Sequence, residues 1–147
     1  MAQIITVAAS KGGVGKSSLA FELAYALGGV LVDLDWDAGG VTRTWGYQPV
    51  PHRAPLLDGL QDGHVPKPLH AAHRPALVPS HPDLAVNQPD AATLAAKLNQ
   101  WAASWLAPYV VVDTHPGATA IAYGALSAAH LVVVPVVLRT RELNALE

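Results

Sequence analysis

A short segment near the amino end, residues 10–17, concentrates glycine and lysine between two apolar runs, and it reads SKGGVGKS. Glycines allow a tight turn in which several backbone N–H groups point to one side, and such a nest binds anions. A lysine and a hydroxyl at the end of the loop add a cation for phosphate oxygens and an oxygen ligand for Mg²⁺. The segment therefore predicts a phosphate-binding loop.

The flanking sequence gives this loop the context that it requires. Residues 3–9 are apolar and β-branched, as in a buried strand, and residues 17–27 are rich in Ala and Leu up to a glycine pair, as in a helix. In a strand–loop–helix unit, Lys16 would reach the β- and γ-phosphates of a nucleotide, and Ser17 would ligate Mg²⁺. The predicted nucleotide-binding residues are Lys11, Gly12, Gly13, Val14, Gly15, Lys16, Ser17 and Ser18.

Two other interpretations of the loop fit the residues less well. A plain glycine turn with two surface lysines does not account for the full run of matched positions in this context. A dinucleotide-binding fingerprint that starts at Gly13 needs glycine at position 18, where Ser18 stands.

Aspartates close two further apolar segments, VLVDLD at residues 30–35 and YVVVD at residues 109–113. Because side chains alternate along a strand, Asp33 and Asp35 lie on the same side and can face one site. An apolar run that ends in Asp113 is a Walker B pattern, in which the acid usually reaches Mg²⁺ through a water. Solvated acids at a strand end remain the alternative for Asp35.

The order of the apolar segments predicts an α/β fold. Strands are predicted at residues 3–9, 30–35, 76–79, 109–113 and 131–137, and helices at 17–27, 56–61, 91–106, 118–129 and from 141 onward. Alternation of this kind indicates right-handed crossovers and a parallel sheet between helices, in three layers, as in P-loop NTPases. Residues 36–90 hold most of the prolines and are otherwise predicted as loop, although Trp45, Tyr47 and Leu56 require burial.

Composition agrees with one domain over residues 1–147. Hydrophobic residues make up 51% of the chain and charged residues 14%, which suits a sheet covered on both faces. The net charge of −2 gives no general attraction to nucleic acid or anionic lipid. The chain has no cysteine, which excludes disulfides, thiolate catalysis and Cys-based metal sites. Without a signal peptide or a membrane-spanning stretch in the sequence, we expect a cytoplasmic protein.

The loop resembles the deviant Walker A motif of the ParA/MinD family of partition and positioning ATPases. Ser10 replaces the first glycine of the general motif, and Lys11 supplies a second lysine. The resemblance implies that Lys11 reaches across an ATP-sandwiched dimer to the partner's phosphates. It also implies that Asp35 orients or activates the attacking water and that Asp33 lies near the Mg²⁺ shell. The predicted catalytic residues are thus Lys11, Lys16 and Asp35, the metal residues are Ser17, Asp33 and Asp113, and the cofactors are ATP and Mg²⁺.

The sequence departs from the family pattern at two places. Trp36 and Asp37 stand where the family usually has Pro-Gln, and His115 interrupts the Asp-Thr-Pro-Pro pattern that follows the Walker B acid. Asp37 is assigned no role. We interpret His115 as a loop histidine near the site, with a switch contact as the alternative. The remaining histidines show no paired metal spacing, and the weak signal of His70 and His73 fits a surface loop better.

Members of the resembling family carry further strands and helices beyond the point at which this sequence ends, so we expect a C-terminally short member. The resemblance implies an ATP-dependent homodimer, a ParB-like activating partner and possible non-specific DNA binding. In the MinD branch a terminal amphipathic helix binds membrane, and because the sequence does not contain that segment we expect no membrane association.

Three functions are therefore open. The first is a ParA-like ATPase, weakly active until a partner stimulates it, that partitions or positions DNA or other cargo. The second is an ATP-dependent carboxylate-activating synthetase of related fold. The third is a truncated nucleotide- or partner-binding module that does not hydrolyse ATP.

Overall fold

A computed structural model describes residues 1–9, 15–37, 40–51 and 53–136 of the chain. Five strands form a single parallel sheet in the order β3-β2-β4-β1-β5. The strands are β1 (Gln3–Val7), β2 (Val30–Leu34), β3 (Ala76–Val78), β4 (Tyr109–Thr114) and β5 (Leu131–Val133). The predicted parallel sheet is confirmed. Its central strand β4 separates β1 from β2, so the two predicted acidic strands lie side by side.

Helices cover both faces of the sheet in three layers, as predicted. They are α1 (Lys16–Ala26), α2 (Val41–Trp45), α3 (Pro55–Asp62), α4 (Ala91–Ser104) and α5 (Ala120–Ala128). Because strand side chains alternate, Ile4, Val32 and Val112 pack with α3, α4 and α5 on one face. Ile5 and Val111 pack with α1 and α2 on the other face. The near-continuous apolar strands reflect burial on both sides.

Helix α4 shows how the predicted apolar stripe becomes core. Leu94, Leu98 and Trp101 are fully buried on one side of the helix. Asp90 begins the helix by accepting a hydrogen bond from the backbone N–H of Thr93, as an N-cap residue does. The stripe holds α4 against the sheet and α5.

The segment between β2 and α4 contains regular elements that the sequence does not predict. Helix α2 and a short 3₁₀ turn (Pro82–Ala85) stand where a loop is predicted. Helix α2 lacks an apolar period because it has only five residues, two of them β-branched threonines. The burial expected for Trp45 is confirmed, and its indole N–H donates to the carbonyl of Pro75 at 2.7 Å.

One predicted strand differs in length from the observed one, and one predicted helix cannot be compared with the structure. Strand β5 ends at Val133, earlier than the predicted residue 137, because the chain reaches Pro135, which has no N–H for a ladder. The predicted helix from residue 141 lies outside the described residues. Within the described part of the chain, every helix is too short or too polar to span a bilayer.

Candidate functional site

The predicted site residues gather at the carboxyl edge of the sheet. In the strand register, Asp113 pairs with Val7 of β1 on one side and with Asp33 of β2 on the other. Parallel strands end at the same edge, so the end of β1, the two acids and the start of α1 meet there. This edge is where ligands bind in open α/β sheets.

The loop enters α1 through Gly15, the first described residue after residues 10–14. Gly15 has φ of 83°, in the left-handed region that only glycine adopts without strain. It precedes the helix directly, and the first N–H groups of a helix lack intrahelical partners, which suits them to bind an anion. Ser18 is exposed in the first turn of α1. The predicted contacts of Lys11, Gly12, Gly13 and Val14 lie outside the described residues and stay predictions.

Lys16, Ser17 and Asp113 form one hydrogen-bonded cluster. The ammonium of Lys16 donates to Oδ1 of Asp113, and the hydroxyl of Ser17 donates to Oδ2 at 2.8 Å. Both Lys16, which is 5% exposed, and Asp113 are buried. A second carboxylate, that of Asp35, lies 3.9 Å from the same ammonium. The cluster therefore brings together a cation, a hydroxyl and two carboxylates, the groups required to bind a phosphate and a hard metal ion.

Burial raises the pKa of the Asp113 carboxyl, while the neighbouring Lys16 ammonium opposes the rise. Burial also raises the pKa of Asp33 to about 7, and the charge of Asp113 beside it adds to the effect. Hydrogen bonds to Asp33 act in the opposite direction. The two acids are thus adjacent groups that resist carrying charge together.

Asp33 joins the end of β2 to the start of α2. Its Oδ2 accepts from the backbone N–H of Thr42 at 2.9 Å and from the Thr42 hydroxyl at 2.6 Å. Its Oδ1 accepts from the N–H of Asp35 at 2.9 Å. The Thr42 hydroxyl accepts in turn from the N–H of Ser80 at 2.9 Å. Both oxygens of Asp33 therefore already have donors within the chain, and its predicted role near Mg²⁺ stays a prediction.

Thr42 was not among the residues predicted from the sequence. It lies in a short helix without a motif, so no local pattern identifies it. A contact of His115 was missed as well. Its ring stacks on Trp36, with centroids 3.9 Å apart and planes 4° from parallel, and its Nε2 lies 2.9 Å from Oδ2 of Asp37.

A cavity of about 500 Å³ opens beside the acids. Its lining combines Asp35 with the side chains of Arg43, Tyr47 and His81. Among the lining residues, Arg43 supplies a cation opposite the aspartates.

Comparisons with known proteins identify a matching family and several similar solved structures. The AAA_31 family, described as an AAA domain, matches residues 2–147. No curated protein matches the chain in sequence. The structure of apo McdA from Cyanothece is 23% identical to this chain, with a TM-score of 0.80. The match covers 99% of this chain and 62% of the McdA chain.

Two further solved structures are similar to the same extent. Cobyrinic acid a,c-diamide synthase from Mycobacterium smegmatis, with a bound ATP analog and magnesium, is 24% identical with a TM-score of 0.80. The match covers 99% of this chain and 64% of that one. A putative plasmid partition protein from Borrelia burgdorferi B31, bound to AMPPNP, is 23% identical with a TM-score of 0.78, at 99% and 67% coverage.

At these identities the likeness establishes the fold, and this chain spans less than two thirds of the length of McdA and of the synthase. The family match extends over almost every residue, from the strand before the loop to the last predicted helix. The resemblance to ParA/MinD-type proteins is confirmed for family and fold, and the chain belongs to the AAA_31 family of AAA domains.

Proposed function

We propose that this chain is a ParA-like ATPase that binds ATP with Mg²⁺ at the loop ending in Ser17. The contact of Lys16 and Ser17 with Asp113 at the start of α1 carries the proposal. It joins the last residues of a Walker A loop to the acid of a Walker B strand. The similar solved structures with a bound ATP analog or AMPPNP support the same ligand.

Each residue of the cluster has a function in this proposal. The Lys16 ammonium, which donates to Asp113, binds phosphate oxygens, and the Ser17 hydroxyl and Asp113 hold Mg²⁺. The metal ion neutralises phosphate charge when it is bound. Asp35 orients the attacking water, because its buried carboxylate lies next to the lysine that would hold the phosphates. Asp33 lies near the metal and fixes the segment that begins α2.

The nucleotide cycle follows from the predicted second lysine. Lys11 contacts phosphates across an ATP-dependent homodimer, and a ParB-like partner stimulates slow hydrolysis. The dimer positions DNA or another cargo in the cytoplasm. The plasmid partition protein among the similar structures supports this class of function.

A first experiment tests nucleotide binding. Calorimetry with ATP and Mg²⁺ should give one site per chain, and Lys16→Ala should weaken binding at least about tenfold because the cation for the phosphates is lost. Lys67→Ala is the matched control, since Lys67 is exposed and lies in the loop between α3 and β3. Unchanged binding by Lys16→Ala would refute the site.

A second experiment separates the switch from binding. Light scattering with ATP, with ADP and without nucleotide should show dimers with ATP alone. The Lys11→Ala variant should bind ATP yet lose both dimerisation and turnover. If ATP-dependent dimerisation and hydrolysis both survive in this variant, the assignment of Lys11 to the partner's phosphates is wrong.

The cavity beside Asp35 favours a second candidate, a carboxylate-activating synthetase. Arg43 in its lining could bind the carboxylate of a small acid near the phosphates, and one similar structure is that of a diamide synthase. Phosphate release that requires a small carboxylic acid and no protein partner would favour this function. ATP binding without phosphate release at saturating partner would indicate a binding module instead.

A further inference from the structure

The two places where the sequence departs from the ParA/MinD pattern lie against each other. Trp36 and Asp37 follow β2, and His115 follows β4, the adjacent strand. The imidazole of His115 stacks on the indole of Trp36, and its Nε2 lies 2.9 Å from Asp37 Oδ2. Both departures thus form one contact that connects the loops after β2 and β4.

The imidazole of His115 lies between two hydrogen-bond acceptors, and a neutral ring can donate to only one of them. Nδ1 lies 2.8 Å from the carbonyl oxygen of Pro116, and Nε2 lies beside the carboxylate of Asp37. Both partners are acceptors, whereas a neutral imidazole carries a single N–H. A ring that donates Nδ1–H to a backbone carbonyl, as metal-binding histidines commonly do, directs the Nε2 lone pair at the carboxylate. In that tautomer the Nε2 lone pair faces the carboxylate, and a cation that binds both groups removes the repulsion between them.

A third ligand completes the group. Single ligand atoms of Asp35, Asp37 and His115 all lie within 4.8 Å of one another. The 2.9 Å between Nε2 and Oδ2 is close to the roughly 3 Å expected between neighbouring ligands about 2.1 Å from a six-coordinate ion. Asp35 is held in place by the backbone N–H of Asp37, which donates to its Oδ1 at 3.1 Å.

We propose that Asp35, Asp37 and His115 bind a divalent first-row transition-metal ion, at a site separate from the Mg²⁺ site of Ser17 and Asp113. The two carboxylates match the charge of a dication, and the imidazole nitrogen favours transition metals over Mg²⁺, which prefers oxygen ligands. Stacking on Trp36 fixes the plane of the ring before the ion binds. The bound ion would hold the loops after β2 and β4 together beside the nucleotide site.

Cobalt provides the probe, since its visible absorption reports its ligands. Nucleotide-free, tag-free protein titrated with Co²⁺ should bind one ion per chain with ligand-field bands, and Zn²⁺ should displace it while excess Mg²⁺ should not. His115→Ala and Asp37→Ala should each weaken Co²⁺ binding about tenfold or more. The Asp37 side chain is 65% exposed, so its variant tests the site without a demand on folding.

His64→Ala is the matched control. His64 makes the same kind of contact, with Nδ1 2.9 Å from Oδ1 of Asp62, and within the described residues no third ligand joins it. Its loss should leave Co²⁺ affinity unchanged. The proposal is overturned if the wild-type protein binds no Co²⁺, if Mg²⁺ displaces it readily, or if His115→Ala binds as tightly as wild type. His115 and Asp37 would then form only an ion pair.

Discussion

The hydroxyl of Thr42 gives the sharpest test of how the site is held. It donates to Oδ2 of Asp33 at 2.6 Å and accepts from the N–H of Ser80 at 2.9 Å, all within buried surroundings. Thr42→Val keeps the shape and removes both hydrogen bonds. A lost bond to a buried carboxylate and an unsatisfied N–H each cost about 1–3 kcal/mol, so we expect the free energy of unfolding to fall by about 3 kcal/mol.

The loss of unfolding free energy caused by Thr42→Val should also depend on pH, because the Thr42 hydroxyl donates to the carboxyl group of Asp33. The folded-state pKa of Asp33 is raised to about 7 from an unfolded value of 3.8, so its ionisation lowers the stability of the fold as pH rises through that interval. The variant loses a donor that favours the carboxylate, which raises this pKa further. Above the wild-type pKa, ionisation of Asp33 is therefore less favourable in the folded variant than in the folded wild type. The loss of unfolding free energy caused by Thr42→Val should then be larger at about pH 8.5 than at about pH 6.

Urea unfolding followed by circular dichroism, in nucleotide- and metal-free buffer, measures both effects. Thr42→Ser is the control, because it keeps the hydroxyl and removes only a methyl group, and it should cost about 1 kcal/mol at both pH values. If Thr42→Val and Thr42→Ser lower the free energy of unfolding equally, the hydroxyl does not bridge Asp33 and Ser80. A cost that shrinks as pH rises would contradict the pKa assigned to Asp33.

Two further predictions concern the packing of α4 and α5. Trp101→Ala should lower the free energy of unfolding by about 4 kcal/mol, and Trp101→Phe should cost far less, because the buried indole N–H has no hydrogen-bond partner among the described residues. Gly124→Ala should lower the thermal midpoint, at a net cost of about 1–2 kcal/mol, since its Cβ would lie 2.8 Å from the Ala91 carbonyl oxygen and 2.9 Å from Leu94 Cβ. Exposed Ser127→Ala on the same helix should leave the midpoint unchanged or slightly raised.

Local patterns were enough to predict much of the fold. The apolar run of β2, the stripe of α4 and the glycine after α1 are features of neighbouring residues, and each specifies an element with little help from the rest of the chain. Helix α2 was missed because five residues with β-branched threonines carry no helical period. Its first turn is instead bound by Asp33, a residue of β2, which accepts from the backbone N–H of Thr42.

The candidate site, like the fold, could be predicted only in part from the sequence. The sequence by itself determined which residues are suited to bind a nucleotide, because Gly15, Lys16, Ser17 and Asp113 stand in motifs whose chemistry follows from residue type and spacing. The tertiary structure alone decided that β4 lies between β1 and β2, and so which of these side chains touch. Strand order also brings His115 to Trp36 and Asp37, a contact between residues far apart in the chain. Such contacts leave no trace in either local segment, because they arise only when the sheet aligns the ends of its strands.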